Sequence, residues 1–139
     1  MVAKVHATIP MSRHLDFQVL SLAGEGIRTI AALKPNINIH NTAFAGSLYS
    51  LGALTAWSYT QYLIEHRGLD AELVIANAEI RYAKPITSDI ECNCHAAGST
   101  QESFIKSLSA GRRSKLELTV SINDGRAELH ALMVAIPAG

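Results

Sequence analysis

Between Lys34 and Ser47 the chain holds three asparagines (Asn36, Asn38, Asn41), one histidine (His40) and the small-residue run Thr42-Ala43-Phe44-Ala45-Gly46-Ser47. These types suit attack of water on a carbonyl, which needs a polarised carbonyl, a held water and a proton acceptor. A helix starting within the small-residue run has first-turn N–H groups without partners and the positive end of its dipole facing outward. The N–H groups near Ala45 and Gly46 are the candidate catalytic donors to a carbonyl about to become an oxyanion. Gly46 lacks a Cβ and would let a substrate approach closely. His40 is the candidate base, since imidazoles titrate near neutral pH. Asn38 is the candidate to orient water or carbonyl, and Asn41 reads more as a cap. Thr42, Phe44 and Ser47 join Asn41 as candidate substrate contacts. The bland alternative is that small residues let a helix pack and that the asparagines and His40 only shape a loop.

Further candidates lie elsewhere. Glu79 interrupts an apolar strand and would be a replacement carboxylate base if it faced a pocket. Simple alternation groups it with Leu73, Ile75, Asn77 and Arg81, opposite Val74, Ala78, Ile80 and Tyr82. The candidate phosphate-binding cations are Arg81, Lys84, Arg112 and Arg113, because guanidinium groups bind phosphate in a bidentate way. Arg112 and Arg113 are adjacent on a strand entrance, so at most one is expected to reach a ligand. Cys92 and Cys94 sit two residues apart, roughly 6–7 Å along a strand, too far for comfortable bridging. With His95 on the other face and no second cysteine pair, they read as buried thiols, not zinc ligands. No metal and no cofactor are expected, and no nucleophile elbow, phosphate loop or dinucleotide fingerprint is present.

The elements that must position these residues follow from patterning. With 139 residues and a 48% apolar fraction, one domain can form a core without staples. The 12 basic and 12 acidic residues balance, so no global field draws nucleic acid or an anionic membrane. From Asn41 to Ile64 there is no charged residue. That length could span a bilayer, but its serines, threonines, Gln61 and three tyrosines argue against lipid. It reads instead as a buried helix from about Ala43 to Glu65 or His66, capped by Asn41 or Thr42 and stopped at Gly68. A short helix over Met11 to Leu15 precedes two strands, Phe17 to Ala23 and Ile27 to Leu33. After the long helix the period falls to two. Strands follow at Ala71 to Ala83, Ile90 to Ala96, Lys115 to Ile122 and Ala127 to Ile136. Gln101 to Leu108 is a short helix or an irregular excursion. Asp124-Gly125 marks a type I′ hairpin turn. The class is α+β, an antiparallel β-sheet wrapped around one long central helix. The N-terminus has no secretory pattern, which with the absence of a structural disulfide reads as a cytoplasmic protein.

The order of elements, the segment PNINIHNTAFAGSLYSL from Pro35 to Leu51, Trp57 on the helix and the strand-turn IANAEIRYAKPITSD from Ile75 to Asp89 resemble the hotdog-fold thioesterase superfamily. Most similar is a bacterial thioesterase domain that occurs alone or fused behind a GNAT-type N-acetyltransferase domain. The resemblance covers nearly the whole chain. It implies a hotdog fold, hydrolysis of acyl-CoA or acyl-carrier-protein thioesters, and a homodimer or dimer of dimers with edge-paired sheets and interface sites. It also places a polar catalytic group at Asn38. Many of these enzymes carry His-Gly-Gly where this chain has Phe44-Ala45-Gly46, and a catalytic carboxylate near the position of Ala53 or Leu54. Both features are missing here. A non-catalytic acyl-CoA or acyl-carrier binding module is therefore the rival expectation.

Overall fold

The computed structural model describes residues 1–138. Two short N-terminal helices, α1 (Val2–Thr8) and α2 (Met11–His14), lead into β1 (Gln18–Ala23) and β2 (Gly26–Ala31). A single 3₁₀ turn over Lys34–Asn36 opens the loop before α3 (Ala45–His66). Then come β3 (Ala71–Tyr82), β4 (Ile90–Cys94), α4 (Gly98–Ser109), β5 (Ser114–Ile122) and β6 (Ala127–Pro137). The strands form one antiparallel sheet in the order β1-β2-β4-β5-β6-β3. Its inner face covers α3, which touches β2, β3, β4, β5 and β6. This is the hotdog arrangement. Sequence patterning missed α1 and placed the start of α3 two residues early.

Alternation explains the sheet. On β5, Leu116, Leu118, Val120 and Ile122 are buried while Lys115, Glu117 and Thr119 are exposed, and on β6 Ala127, Leu129, Ala131 and Met133 meet them from the same side. Cys92 and Cys94 are free, buried thiols on the inner side of β4. Helix α3, about 33 Å long, is apolar or small around most of its circumference. At Gly52 a Cβ would stand 3.3 Å from both Cβ and Cδ2 of Leu129, so the missing side chain sets how closely helix and sheet approach. The helix ends in a Schellman motif: Gly68 (φ +68) donates to Glu65 C=O at 2.9 Å and Leu69 to Ile64 C=O at 3.2 Å.

The polar groups on α3 that counted against lipid find partners within the protein. Thr55 Oγ1 donates to Leu51 C=O and lies 2.8 Å from Thr29 Oγ1; Thr60 Oγ1 donates to Ala56 C=O. Tyr59, fully buried, donates to Gly24 C=O at 2.8 Å and accepts from Ala96 N–H at 3.2 Å. No described helix is long and apolar enough to cross a membrane. At the β5–β6 turn Asp124 and Gly125 have φ of 55 and 85 and Arg126 N–H returns to Asn123 C=O at 3.3 Å, as the Asp-Gly signal requires.

One expectation about faces is corrected. The β3–β6 register slips between Ile75 and Asn77, leaving Ala76 as a bulge. The bulge reverses the alternation midway. Leu73 and Ile75 therefore share the inner face with Ala78 and Ile80, while Glu79 and Arg81 stand on the outer face opposite His130 and Glu128.

Two outcomes are expected. Tyr59→Phe leaves the Ala96 N–H without its acceptor and should cost about 1–3 kcal/mol, read as a lower Tm. Burial pushes the thiols of Cys92 and Cys94 up, from an ordinary 9.0 to about 11 and about 12. Folding then disfavours thiolate, so this contribution is whole below pH 9 and drains as pH climbs towards 11 and 12. Urea titrations at pH 8 and pH 10 should give a fall in stability that shrinks in a Cys92→Ala/Cys94→Ala variant.

Candidate functional site

The loop from Lys34 to Phe44 is built around two asparagines. Asn36 is buried, and its Nδ2 donates to Leu15 C=O and Ala32 C=O, both at 2.8 Å. Its own carbonyl accepts from Phe44 N–H at 2.7 Å, so one residue ties the helix entrance to the start of the domain. Asn38 organises the outer half. Its Oδ1 accepts from the N–H groups of His40 (2.8 Å) and Thr42 (3.2 Å), and its Nδ2 donates to Thr42 Oγ1 at 2.8 Å. Asn41 takes a left-handed conformation, φ 60, at the exposed tip. The expectation that Asn41 or Thr42 caps the long helix is corrected. Phe44 occupies the N-cap position in extended conformation, and no side chain caps the helix.

That missing cap has a chemical consequence. The first helical N–H with an acceptor is that of Leu48, bonded to Phe44 C=O at 3.1 Å. Among the described residues no hydrogen bond ends on the N–H groups of Ala45, Gly46 or Ser47. Three donors and the positive dipole end are thus left for a ligand. The first of them, Ala45, lines a cleft of about 310 Å³ together with Asn38, Thr42, Leu48, Tyr82 and Lys84. Ala43 N–H donates to Ile86 C=O at 2.8 Å, which clamps the helix entrance against the segment after β3. Tyr82 OH donates to Ala45 C=O at 2.9 Å; burial, with Tyr49 adding, pushes this phenol up, so it stays a neutral donor. Lys84 is the one charged side chain lining the cleft among the described residues, and no Asp or Glu lines it.

The structure therefore gathers Asn38, Thr42 and Ala45 from one stretch of sequence and Lys84 from another. His40 stands at the loop tip with an exposed side chain outside the cleft lining. Gly46 meets a different neighbour from the one expected. A Cβ built there would lie 2.5 Å from Phe44 Cε2, so its bare Cα accommodates the half-exposed Phe44 ring. Ser47, in the first turn, is buried. Glu79 and Arg81 face away on the outer side of β3. Arg112 and Arg113 precede β5 at the end opposite Ile122, which is level with Ala127 and Tyr82. Nine residues of strand at about 3.3 Å each put them roughly 30 Å from the cleft within one chain. Ala53, where a helical carboxylate would sit, is half-buried on α3. Asn36 and Tyr82 escaped the sequence reading. Alternation alone would have turned Tyr82 inward at the mouth of the cleft, whereas nothing local marks Asn36 as buried.

Asn38→Ala removes three hydrogen bonds that shape the loop, so Tm should fall by a few degrees, about 1 kcal/mol. His40→Ala, which removes only an exposed ring, should melt like the parent. Thermal denaturation of the two variants side by side checks this.

Residues 1–132 match the family described as "Putative thioesterase (yiiD_Cterm)". The crystal structure of a protein described as "putative thioesterase" from Shewanella oneidensis is similar, with TM-score 0.87 and 33% identity over 97% of this chain and 94% of that one. A protein of unknown function from Chlorobaculum tepidum superposes with TM-score 0.93 at 19% identity, covering 98% of this chain and 91% of that one. A thioesterase from Pseudomonas aeruginosa gives 0.69 at 11% identity, covering 99% and 95%; these last two likenesses speak for the fold. An uncapped helix start opening on a cleft, set in a hotdog sheet, thus agrees with the match across the sequence: this chain belongs to the yiiD C-terminal thioesterase family.

Proposed function

We propose that the protein hydrolyses acyl thioesters of CoA or of an acyl carrier protein, with the thioester carbonyl held at the start of α3. The observation that carries the reading is the set of unpartnered N–H groups at Ala45, Gly46 and Ser47, beside a cleft with Ala45 in its wall. Fixed donors aimed where charge develops stabilise a tetrahedral oxyanion more than the ground-state carbonyl. Thr42 Oγ1 accepts from Asn38 and keeps its own proton to hold the attacking water. Asn38 orients Thr42, and the attacking water passes its proton by way of solvent to His40 at the exposed loop tip. Oxygen adds to the carbonyl carbon; the C–S bond then breaks, the carboxyl product forms, and the leaving thiolate takes up the proton that the water gave.

Two copies joined through β3 would complete the assembly. This 12-residue strand ends the sheet and bonds only to β6, leaving a long unpaired edge with Val74 exposed. α3 leaves Tyr49, Ala53 and Trp57 partly uncovered, and Tyr49 OH reaches Ala78 C=O of that strand. A second helix and strand would close both.

The rival is a binding module without turnover, favoured by one observation: no carboxylate lines the cleft among the described residues. Release of free thiol from a panel of acyl-CoA substrates separates the two, since binding without release would leave only the module. The sharper test is Ala45→Pro. Ala45 is the first helical residue, where proline is tolerated, and Phe44 before it is already extended (φ −67, ψ 132). The substitution removes one N–H and spares the helix. Turnover should fall by about 10²-fold or more with Tm little changed; a variant retaining the parental kcat would reject the oxyanion role.

A further inference from the structure

The cleft does not end at Lys84. Ala83 and Lys84 also border a second hollow of about 310 Å³, whose other lining residues are Asn123, Asp124, Gly125 and Arg126 of the β5–β6 turn. The two hollows adjoin at Ala83 and Lys84, between the helix start and the hairpin. Two backbone bonds clamp the turn against the chain beyond β3: the N–H groups of Ala83 and Lys84 both donate to Arg126 C=O, at 2.8 and 3.0 Å. Arg126 Nη1 donates to Pro85 C=O at 3.1 Å, which aims the guanidinium and leaves most of its five donors unused. Neither Lys84 nor Arg126 is in an ion pair among the described residues. Asp124 is the one carboxylate that lines this hollow.

Two cations outside any ion pair among the described residues, one anchored on Pro85 C=O, thus stand beside the hollow that adjoins the carbonyl site. A CoA or carrier-protein thioester seated at Ala45 has a long, flexible thiol arm to lay across the two adjoining hollows. We propose that Lys84 and Arg126 form a subsite for the phosphate at the far end of a pantetheine thiol, a chemistry common to CoA and to the arm of an acyl carrier protein. The proposal rests on the thioesterase reading above and adds Arg126 to the groups that select the substrate. A guanidinium meets a phosphate with two parallel N–H donors, which an ammonium cannot do. Asp124 works against the anion, and this gives the proposal a sign.

Calorimetric titration of the full chain with CoA, 4′-phosphopantetheine and pantetheine tests it without turnover. CoA should bind at least about tenfold more tightly than pantetheine, and Arg126→Gln and Lys84→Gln should each weaken CoA binding by about tenfold. Arg126→Lys should recover part of the loss, and Asp124→Asn should tighten CoA binding. If the turn were merely structural, Asp124→Asn would weaken binding together with Arg126→Gln; that result, or equal affinity for CoA and pantetheine, overturns the proposal. Matching losses for CoA and 4′-phosphopantetheine assign the contact to the phosphate shared with carrier proteins. Losses for CoA alone assign the contact to the nucleotide phosphates and overturn the assignment to the pantetheine phosphate. CoA binding of this pattern without thiol release would keep the subsite and discard the hydrolase. Thiol release from acyl-CoA with CoA affinity unmoved by the charge variants would do the reverse.

Discussion

The structure depends on burying a helix of 22 residues, free of charged side chains from Ala45 to Ile64, against the inner face of one sheet. Each buried methylene removed from water contributes about 0.8 kcal/mol, and α3 offers apolar surface to five strands. Because so little of the helix is left to water, its position is fixed laterally by packing, and closely so at Gly52 against Leu129. A rod held that way cannot slide, so the place where its first turn emerges is set by the core. The unpartnered N–H groups of Ala45, Gly46 and Ser47 gain a fixed address from packing that lies behind them.

The loop before the helix refines that address. Asn36 holds it from inside with two side-chain bonds and one backbone bond, and Asn38 holds it from outside. The two asparagines divide the work by burial. The inner one anchors; the outer one shapes the rim and sets Thr42. A side-chain cap would have satisfied the helix end and closed it to ligands. Phe44 at the N-cap instead places a hydrocarbon ring over Gly46, which offers no acceptor to the free N–H groups.

The bulge at Ala76 has a comparable effect on β3. Without it, Leu73 and Ile75 could not share the inner face with Ala78 and Ile80, and half the strand would turn its apolar side outward. With it, Glu79 and Arg81 join the polar outer face, where His130 bonds Glu128 at 2.8 Å and Thr119 at 3.0 Å. One extra residue in a strand thus decides whether a carboxylate can be a base for the cleft, and here it sends that carboxylate to the other side of the sheet.

The sequence by itself determined the α+β class, the long helix with its stop at Gly68, the alternating faces of β5 and β6, the Asp-Gly turn and the unbridged thiols. Each of these is written in local periodicity or in the backbone needs of single residues, which neighbouring sequence expresses directly. It also marked Asn38, Thr42, Ala45 and Lys84 as candidates. Only the tertiary structure decided that these four share a cleft, that Tyr82 joins them and that Arg112 and Arg113 lie at the far end. It alone revealed Asn36 as the buried anchor. The reason is physical: which residues meet across a sheet depends on register, and register here turns on a bulge and on loop closures between segments distant in sequence. Spacing along the chain carries no record of either.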